Sequence, residues 1–530
     1  MSLIVKSLSY IHPDKEVLFT NISFSLTKGQ KVALVGNNGA GKSTLLRIAA
    51  GLLHQSAGEI IFSEKPYYVP QHLGQYDDYN IAEALGVEPK LKSLYAILKG
   101  DTSSDNFKLL DDDWNIEEKI RIALSHWNMQ QVDLFQKMKY LSGGEKTKVF
   151  LSGILIHSPQ VLLLDEPSNH LDGESRSILY DFVRKSKSTI LIISHDRTLL
   201  NLLDTTLDIY NNSIDVYGGN YDFYIEQKKK KLAALQLELE EKEKNIKRSI
   251  QQSREVIEQR QKKEVRGKSQ GSKGGMPRIL AGGLGSKAEE SSAKLIGATN
   301  DRINSLSDDL AQIKQQIEEQ KKLKIDLKKS DLHKGRILVD LKNINFSYGE
   351  KDLWKSPLTL QILSGDRIRI AGNNGAGKTT LIKMIMSDLK ASVGEVYIAD
   401  CRTLYIDQEY SIIDGQLTVF EQVQRFNDRH LVEHELKMLL HHYQFPSGVW
   451  AKKCDSLSGG EKMKLLLCCI TISTNSPDLL ILDEPTNNLD MYSLEILTNT
   501  VSKFEGTILV ISHDENFVND IQVDRTIILS

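Results

Sequence analysis

The sequence predicts an α/β protein in which two similar domains are joined by a helical hairpin. Three observations carry this prediction: motifs that occur twice in the same order, short apolar runs that end in loops, and a charged middle segment with helical spacing. Apolar runs followed by a loop and a helix are typical of a mostly parallel sheet covered by helices. With 40% hydrophobic and 26% charged residues, the chain of 530 residues has an ordinary globular composition.

The motifs recur at an almost constant separation. The loop GNNGAGKS at 36–43 recurs as GNNGAGKT 336 residues later. The segment LSGGE recurs after 316 residues, and LLLDEP returns as LILDEP after 318. Gln71 and Gln408 are 337 residues apart, so the first half carries about 21 additional residues between its glutamine and its LSGGE. We place these within 86–118, an acidic stretch. The predicted division is a first domain at 1–225, a linker at 226–335 and a second domain at 336–530.

The linker sequence predicts two antiparallel helices that bury apolar seams against each other. Between the seams lies a glycine-rich break, and 262–287 contains seven Lys or Arg residues against one Glu, which predicts a basic tip. The seam positions are Leu232, Leu235, Leu239, Ile246, Ile250 and Ile257 in the first helix and Ile303, Leu306, Leu310, Ile313 and Ile317 in the second.

Charge and cysteine usage restrict the class of protein. The formal net charge is −3, so any contact with nucleic acid would need a local basic patch. Cys401, Cys454, Cys468 and Cys469 lack metal-ligand spacing, which favours free thiols in a reducing compartment. The sequence contains neither a signal-peptide core nor an apolar run of the roughly 18 residues that would cross a bilayer. We therefore expect a cytoplasmic protein.

The two glycine-rich loops predict phosphate binding. Glycines let backbone N–H groups curl around a phosphate at the positive end of the following helix. We expect Lys42 and Lys378 to neutralise the β- and γ-phosphates of ATP, and the hydroxyls of Ser43 and Thr379 to bind Mg²⁺. The other expected nucleotide contacts in these loops are Gly36, Asn37, Asn38, Gly39, Ala40, Gly41, Thr44, Gly372, Asn373, Asn374, Gly375, Ala376, Gly377 and Thr380.

Each LLLDEP-type run ends in two acidic residues. Asp165 and Asp483 would hold Mg²⁺ directly or through water. Glu166 and Glu484 are then the candidate general bases, each of which would polarise the water that attacks the γ-phosphate. A solvated acidic pair after a strand is the alternative interpretation.

Four further residues are candidates because each type occurs at matching places in both halves. Gln71 and Gln408 follow tyrosine-containing runs and would sense Mg²⁺ and the attacking water. His195 and His513, each within the sequence ISHD, would contact the γ-phosphate. A single glutamine or histidine at such a place is usually structural, but the twofold occurrence favours a function.

The LSGGE segments predict that each nucleotide is shared by both domains, because such a loop binds the nucleotide held by the facing domain. The expected contacts are Ser142, Gly144, Ser458 and Gly460. Tyr10 and Tyr348, which precede the glycine-rich loops, could stack on adenine. Packing in the core is the alternative for both tyrosines.

Together these motifs resemble the ATP-binding cassette superfamily over nearly the whole chain and, within it, the ABC-F family of soluble twin-cassette proteins. The ABC-F resemblance rests on SNHLD at 168–172, TNNLD at 486–490, GEK at 144–146 and 460–462, YGGNYDFY at 217–224, and the charged linker. It implies two P-loop ABC-type ATPase domains joined by an α-helical hairpin, with ATP and Mg²⁺ as cofactors. We call 1–225 the first cassette and 336–530 the second cassette.

The resemblance also implies a role in translation. Family members bind the ribosomal exit site with ATP bound and push the linker tip toward the peptidyl-tRNA, and hydrolysis releases them. The chain would act as a monomer whose two cassettes pair, without a permease subunit. Contacts with rRNA and tRNA are then expected at the basic tip, although a merely solvated tip is the alternative: Lys262, Lys263, Arg266, Lys268, Lys273, Arg278 and Lys287.

Three other functions stay open at this stage: protection of the ribosome from antibiotics, an ATPase subunit of an importer, and a DNA-repair clamp. Two departures from the family pattern stand out. The insertion at 86–118 is short for the family's arm, which puts contact with a ribosomal protein in doubt. Asn488 stands where many members carry a histidine, which would make the two ATP sites unequal.

Overall fold

The computed structural model describes residues 2–13, 15, 17–101, 103–210, 212–271, 310, 314, 332–349, 351–373, 375–473, 476–487 and 489–529. The described residues of 1–222 and 323–530 form one compact unit, and those of 223–322 form a second. Both cassettes therefore belong to one unit. None of the helices in the described part of the chain is long and apolar enough to cross a membrane.

The first unit starts with the elements of the first cassette. In chain order they are β1 (Leu3–Ile11), β2 (Val17–Leu26), β3 (Lys31–Gly36), α1 (Lys42–Ala49), β4 (Ala57–Phe62), β5 (Tyr67–Val69), α2 (Ile81–Ala84), α3 (Glu88–Leu98), α4 (Ser104–Leu110), α5 (Ile116–His126), α6 (Gly143–His157), β6 (Val161–Asp165), α7 (Gly173–Lys185), β7 (Thr189–Ile193), α8 (Arg197–Leu200), β8 (Thr205–Tyr210) and β9 (Ser213–Tyr217). They are followed by the long helix α9 (Tyr221–Gly271).

The second cassette repeats this order with fewer helices. Its elements are β10 (Ile337–Asn345), β11 (Ser347–Tyr348), β12 (Lys351–Asp352), β13 (Leu358–Leu363), β14 (Arg367–Ala371), α10 (Lys378–Ile385), β15 (Val393–Ile398), β16 (Thr403–Ile406), α11 (Val419–Arg425), α12 (Glu433–His442), α13 (Gly459–Ile472), β17 (Leu479–Asp483), α14 (Met491–Lys503), β18 (Thr507–Ile511), α15 (Glu515–Asp520) and β19 (Arg525–Ile528).

A mostly parallel sheet forms the centre of each cassette, as the sequence predicted. The strand order is β5-β6-β7-β3-β8-β9 in the first and β16-β17-β18-β14-β19 in the second. Among the described strands of these two sheets, β9 alone runs antiparallel, against β8. Strands β6, β7, β17 and β18 are buried along their whole length, which explains their continuous apolar sequences.

Each cassette also contains a three-stranded antiparallel sheet that the sequence analysis did not predict. The orders are β2-β1-β4 and β13-β10-β15. Burial alternates along much of β2, because one face of this sheet packs on the core and the other faces solvent. Such alternation is the period-2 pattern of a half-buried strand, and it was present in the sequence.

The two cassettes differ most between the central sheet and the LSGGE segment. Among the described residues, the first cassette has α2 to α5 there, whereas the second has α11 and α12. Helices α3 and α4 lie within 86–118, where the sequence placed its additional residues. The four cysteines of the second cassette are free thiols.

The linker unit is described mainly by α9, which has 51 residues and is therefore about 75 Å long. Its predicted seam residues Leu232, Leu235 and Leu239 are half-buried. Lys314, from the region of the predicted second helix, forms an ion pair of 2.9 Å with Glu243 of α9. Outside the described residues lie Ile303, Leu306, Ile313 and Ile317, together with Lys273, Arg278 and Lys287 of the predicted tip.

Candidate nucleotide-binding and catalytic sites

The expected functional residues of the first cassette meet at one edge of its central sheet. The loop 36–43 begins at the end of β3, Asp165 ends β6, and His195 and Gln71 come shortly after β7 and β5. These four strands are neighbours in the sheet and run parallel. Because the carboxyl ends of parallel strands lie at the same edge, the strand order alone brings these groups together.

The second cassette has the same arrangement. The loop 372–379 follows β14, Asp483 ends β17, and His513 and Gln408 follow β18 and β16. Neighbouring parallel strands again bring them to one edge. Gln71 is half-buried and Gln408 is exposed.

Both glycine-rich loops, which we call the phosphate loops, curl around their own lysine. Nζ of Lys42 donates hydrogen bonds to the carbonyls of Gly36 and Asn37 at 2.8 and 3.0 Å. Nζ of Lys378 contacts the carbonyls of Gly372 and Asn373 at 2.6 and 3.2 Å. The ammonium group is thus held inside the curve of the loop, at the N-terminus of α1 or α10, where anions bind favourably.

Glycine is required where each phosphate loop enters its helix. Gly41 and Gly377 cap α1 and α10 with φ of 91° and 87°, a conformation that L side chains rarely adopt. A Cβ atom at Gly41 would also lie 2.8 Å from the side chain of Leu18. Substitution at either glycine would therefore distort the loop.

Oxygen atoms suited to Mg²⁺ lie next to each other at both sites. The hydroxyl of Ser43 donates to Oδ1 of Asp165 at 3.1 Å, and Thr379 lies beside Asp483 in the second cassette. Burial raises the pKa of Asp165 and that of Asp483. A hydroxyl and a carboxylate beside a phosphate loop are the hard oxygen donors that Mg²⁺ prefers, so the residues present fit this ion.

Two tyrosines that the sequence analysis did not assign support these carboxylates. The hydroxyl of Tyr68 donates to Oδ2 of Asp165 at 3.2 Å, and that of Tyr405 donates to Oδ2 of Asp483 at 3.1 Å. The signal was available, because both halves carry a tyrosine three residues before the candidate glutamine.

The two candidate general bases share an uncommon backbone conformation. Glu166 and Glu484 have φ of 51° and 48°, in the left-handed region. Such conformations cluster at functional sites when the surrounding structure holds them. Here the amides of both glutamates donate to the neighbouring strand, to the carbonyls of Ile193 and Ile511 at 2.9 and 2.8 Å.

Each candidate base is buried and held by the following histidine. The backbone N–H of His195 donates to Oε2 of Glu166 at 3.3 Å, and that of His513 donates to Oε2 of Glu484 at 3.4 Å. The other carboxylate oxygen of each glutamate is buried without a hydrogen-bond partner among the described residues. This oxygen lies 3.1 Å from Nε2 of His195 at Glu166 and 3.3 Å from Nε2 of His513 at Glu484, so carboxylate and imidazole are in direct contact at each site.

Burial dominates the protonation of these groups. It raises the pKa of Glu166 to about 8, with the charge of Asp165 adding to the effect, and the pKa of Glu484 to about 7. The same desolvation lowers the pKa of His195 to about 3 and that of His513 to about 4, so both imidazoles are neutral near pH 7.

The LSGGE segments, which we call the signature segments, begin the helices α6 and α13. Ser142 and Ser458 are the N-caps, and each forms a reciprocal capping box with the glutamate three residues later. The predicted contact residues Gly144 and Gly460 are buried in the first turns. Each signature segment thus presents the positive end of a helix.

Residues of the two cassettes meet at the first phosphate loop. The backbone N–H of Asn38 donates to Oδ2 of Asp490 in the second cassette at 3.1 Å. A Cβ atom on Gly460 would lie 3.7 Å from Nδ2 of Asn38, so the second signature segment faces this loop. We define site 1 as this phosphate loop with Glu166, His195 and the second signature segment.

Site 2 is the phosphate loop of the second cassette with Glu484, His513 and the first signature segment. Nη1 of Arg176 in the first cassette donates to the carbonyl of His513 at 3.3 Å. Burial lowers the pKa of Lys378, and the negative charges of Glu484, Asp483 and, from the first cassette, Asp172 oppose this lowering. Asp172, Arg176 and Asp490 were not singled out by the sequence analysis.

Of the two tyrosines expected to contact adenine, the structure describes the side chain of Tyr10 but not that of Tyr348. Tyr10 is buried in the core of the antiparallel sheet and packs against Phe19 at a ring distance of 6.2 Å, which is the packing alternative. The side chain of Tyr348 and the residues Asn374 and Asn488 lie outside the described part of the chain. Thr44 is half-buried and Thr380 is buried behind the phosphate loops.

Two sites, each bounded by a phosphate loop of one half and a signature segment or arginine of the other, define a paired nucleotide-binding ATPase. A family model described as "ABC transporter" matches residues 19–169 and 356–487. The ATP-binding protein Uup of Buchnera aphidicola subsp. Schizaphis graminum is 30% identical over 514 residues, which cover 96% of this chain and 77% of that protein.

Two further relatives match nearly the whole chain. The energy-dependent translational throttle protein EttA of Haemophilus influenzae is 30% identical, covering 96% of this chain and 88% of that protein. ABC transporter F family member 5 of Arabidopsis thaliana is 29% identical, covering 96% and 72%. The chain therefore belongs to the ABC-F family of ATP-binding cassette ATPases.

A solved structure shares the fold at low identity. It is the complex of the archaeal ribosomal stalk protein aP1 with the archaeal ribosome recycling factor aABCE1, with a TM-score of 0.59 and 19% identity, covering 98% of this chain and 87% of the other. The predicted architecture of two ATPase domains of ABC type is thereby confirmed.

Proposed function

We propose that this chain binds the ribosome with ATP bound at both sites and acts on translation through its linker tip. Hydrolysis of ATP to ADP and phosphate would then release it. We further propose that it works in the cytoplasm, as a monomer without a permease subunit, and that the basic tip contacts rRNA and tRNA near the exit site. The name of the EttA relative, a translational throttle protein, supports this proposal.

In this proposal the chain's own residues bind and orient ATP. The phosphate-loop lysines Lys42 and Lys378 neutralise phosphate charge from within their loops, and the signature segments bring a positive helix end from the facing cassette. Ser43 with Asp165, and Thr379 with Asp483, would hold Mg²⁺, with Gln71 and Gln408 nearby. Bound there, Mg²⁺ would supply charge stabilisation to the phosphates.

The general bases would be Glu166 and Glu484. Each has a buried carboxylate oxygen that is uncommitted among the described residues, and a neutral histidine beside it. Nε2 of His195 lies 3.1 Å from Oε1 of Glu166, and Nε2 of His513 lies 3.3 Å from Oε1 of Glu484. Because these atoms are already in contact, the attacking water would bind beside the pair, where the imidazole could orient it and the carboxylate accept its proton.

One observation carries the link between ATP and the linker: α8 contacts three functional parts. It begins directly after the loop of His195, and its Thr198 accepts a hydrogen bond of 3.2 Å from Asn516 of the second cassette. Asn201, which ends α8, accepts a hydrogen bond of 2.9 Å from the backbone N–H of Asp222 in the first turn of α9. A change of cassette closure at α8 would therefore be transmitted to the start of the linker helix.

The proposal is tested by sedimentation of the Glu166→Gln/Glu484→Gln variant with ribosomes, with ATP and with ADP. The variant should keep nucleotide binding and slow hydrolysis, so that the closed state accumulates. We expect it to migrate with ribosomes only when ATP is present, whereas a matched Lys42→Ala/Lys378→Ala variant should not migrate.

The contrary result is closure on ATP without migration. Closure is monitored separately, by the distance between labels on the two cassettes. If the closed variant never migrates with ribosomes, the translation proposal fails. Selective binding of the same variant to branched DNA, or recovery of permease subunits from detergent extracts, would then identify the DNA-repair or importer alternative.

A further inference from the structure

The loop that carries His513 is held by two arginines, one from each cassette. Arg369 of β14 donates from Nε and Nη2 to the carbonyl of Ser512 at 3.2 and 3.0 Å. Arg176 of α7 donates from Nη1 to the next carbonyl, that of His513, at 3.3 Å. Successive carbonyls of one loop are thus bound by cationic donors from opposite sides of the cassette interface.

Each arginine is itself fixed in place. Arg369 is largely buried and forms an ion pair of 2.7 Å with Glu515. Arg176 donates from Nε to the carbonyl of Leu171 at 3.1 Å, within its own cassette. A guanidinium that bridges two backbone carbonyls has little freedom left, because its planar donors are used in fixed directions. Arg176 therefore connects Leu171, in the SNHLD sequence of the first cassette, to the loop of His513 in the second.

Neither arginine is repeated at the corresponding position of site 1. By the separation of 318 residues, Arg176 corresponds to Leu494, and by the separation of 336 residues, Arg369 corresponds to Ala33. Leu494 and Ala33 are both buried and apolar, so neither can donate a hydrogen bond to the loop of His195. The difference lies on both sides of the interface and is therefore not a property of one substitution.

The supported loop is the one that holds the candidate base. The amide of His513 donates to Glu484 at 3.4 Å, while the carbonyl of the same residue accepts from Arg176. A displacement of this peptide changes the position of the carboxylate, and small displacements of a catalytic group reduce rates strongly. Arg176 belongs to the first cassette and this peptide to the second, so the contact exists only where the two cassettes meet.

We propose that Arg176 is a positioning residue that acts in trans on site 2, so that hydrolysis at site 2 depends on cassette closure through this side chain and hydrolysis at site 1 does not. The inference rests on the proposed assignment of Glu166 and Glu484 as general bases. It goes beyond that assignment because it makes the two sites unequal for a reason that lies outside the repeated motifs.

The test measures steady-state ATP hydrolysis in two backgrounds that each retain one base. In Glu166→Gln, where site 2 keeps its base, Arg176→Met should lower kcat about tenfold, which corresponds to about 1.4 kcal/mol at the transition state. KM for ATP should stay within about twofold. In Glu484→Gln, the same change should leave kcat within about twofold. Arg176→Lys should recover part of the loss, because it keeps the charge but not the planar donors.

A matched control is Arg184→Met. Arg184 lies on the same helix α7, is exposed, and pairs with Asp181 at 2.9 Å. It should change neither background. Equal losses from Arg176→Met in both backgrounds, or a loss that appears only in KM, would overturn the inference, because a general weakening of the interface would produce either result.

A second readout does not depend on the single-base backgrounds. Vanadate traps ADP at a site that has completed hydrolysis, and photolabelling identifies which phosphate loop holds it. Arg176→Met alone should trap at 36–43 and lose trapping at 372–379, and undiminished trapping at 372–379 would overturn the inference. The proposed base assignment fails separately, if Glu166→Gln/Glu484→Gln still hydrolyses ATP, and the ribosome proposal fails only in the sedimentation experiment.

Discussion

Sites 1 and 2 repeat the same reacting groups but support them with different residues. In both, a tyrosine bonds the strand-ending aspartate, and the following glutamate takes a left-handed conformation. At site 1 the positions that correspond to Arg369 and Arg176 are the buried apolar residues Ala33 and Leu494. At site 2 the loop of His513 is bonded by Arg369 and Arg176.

This difference shows which part of a duplicated site tolerates change. Reacting atoms must keep their positions within a few tenths of an ångström, and only a few residue types can provide them. A backbone carbonyl or amide, by contrast, can be held by any donor or acceptor that reaches it. The supporting contacts can therefore diverge while the motifs stay the same.

The largest effect should come from removing the bases. General-base catalysis contributes about a hundredfold to ten-thousandfold, so Glu166→Gln/Glu484→Gln should lower kcat about a thousandfold with ATP affinity unchanged. The comparison is sharpened by the two single variants, whose residual rates give the share of each site. Steady-state phosphate release measures the rates. A double variant that keeps the wild-type kcat would contradict the assignment of the two bases, whatever share the single variants give to each site.

The sequence was enough to predict the site residues that lie in repeated motifs. It did not reveal the residues that hold those motifs in place. The order of loops, strands and glutamates follows from short local patterns, and parallel strands then bring them to one edge. Arg176 and Arg369 belong to no motif, and their partners are backbone carbonyls, which no residue type reveals. An alignment of the two halves would have exposed Arg176 opposite Leu494, but not what the arginine contacts.

The next largest effect should come from the two tyrosines that bond the aspartates, and it should be the same at both sites. Tyr68→Phe and Tyr405→Phe each remove a hydroxyl that orients an aspartate, and loss of such an outer partner typically weakens metal binding by about tenfold or more. We expect the Mg²⁺ concentration for half-maximal hydrolysis to rise about tenfold in the double variant. A magnesium titration of the ATPase rate measures this.

The neighbouring Tyr67 provides the control for the tyrosine experiment. Tyr67 lies in the same strand, β5, but its hydroxyl donates to the carbonyl of Phe150 in helix α6 at 2.9 Å. Tyr67→Phe should lower stability without changing the Mg²⁺ requirement. A rise in that requirement as large as that of Tyr68→Phe would show that the strand, and not the bond to Asp165, sets metal affinity.

A smaller effect should separate the two phosphate loops. Trp354 donates from Nε1 to the carbonyl of Ala376 at 3.0 Å, whereas the side chain at the same place beside Gly41 is Phe19, which has no donor. Trp354→Phe makes the second loop resemble the first and should lower the free energy of unfolding by about 1–2 kcal/mol. It should also raise KM for ATP in the Glu166→Gln background.

Thermal unfolding and ATPase rates measure the two consequences of Trp354→Phe. Trp450→Phe is the matched control, since Nε1 of Trp450 also donates to a carbonyl, that of Phe445, at 2.8 Å, but in the helical region. It should lower stability by a similar amount and leave KM unchanged. An equal rise in KM for both variants would show that the effect reflects cassette stability and not the phosphate loop.

The smallest effect should come from breaking an ion pair between the two cassettes, which could couple site 1 to site 2. Arg197 of α8 and Asp520 of α15 form an ion pair of 3.3 Å across the cassettes, near the hydrogen bond between Asn516 and Thr198. Because Asp520 is 47% exposed, the pair should contribute only about 0.5 kcal/mol. A double-mutant cycle with Arg197→Met and Asp520→Asn, read as stability of the ATP-closed state, measures this coupling.

Salt decides how the coupling between Arg197 and Asp520 is interpreted. A pair exposed to solvent is screened, so raising the salt concentration to about 1 M, where the Debye length is about 3 Å, should abolish the coupling. Nε of Arg197 is buried without a hydrogen-bond partner among the described residues, which is a cost that the pair must offset. A coupling above about 1.5 kcal/mol that persists in high salt would exceed what an exposed pair supplies. In that case the segments after His195 and His513 would move together, and the two sites would still differ in the support that Arg176 and Arg369 give to site 2.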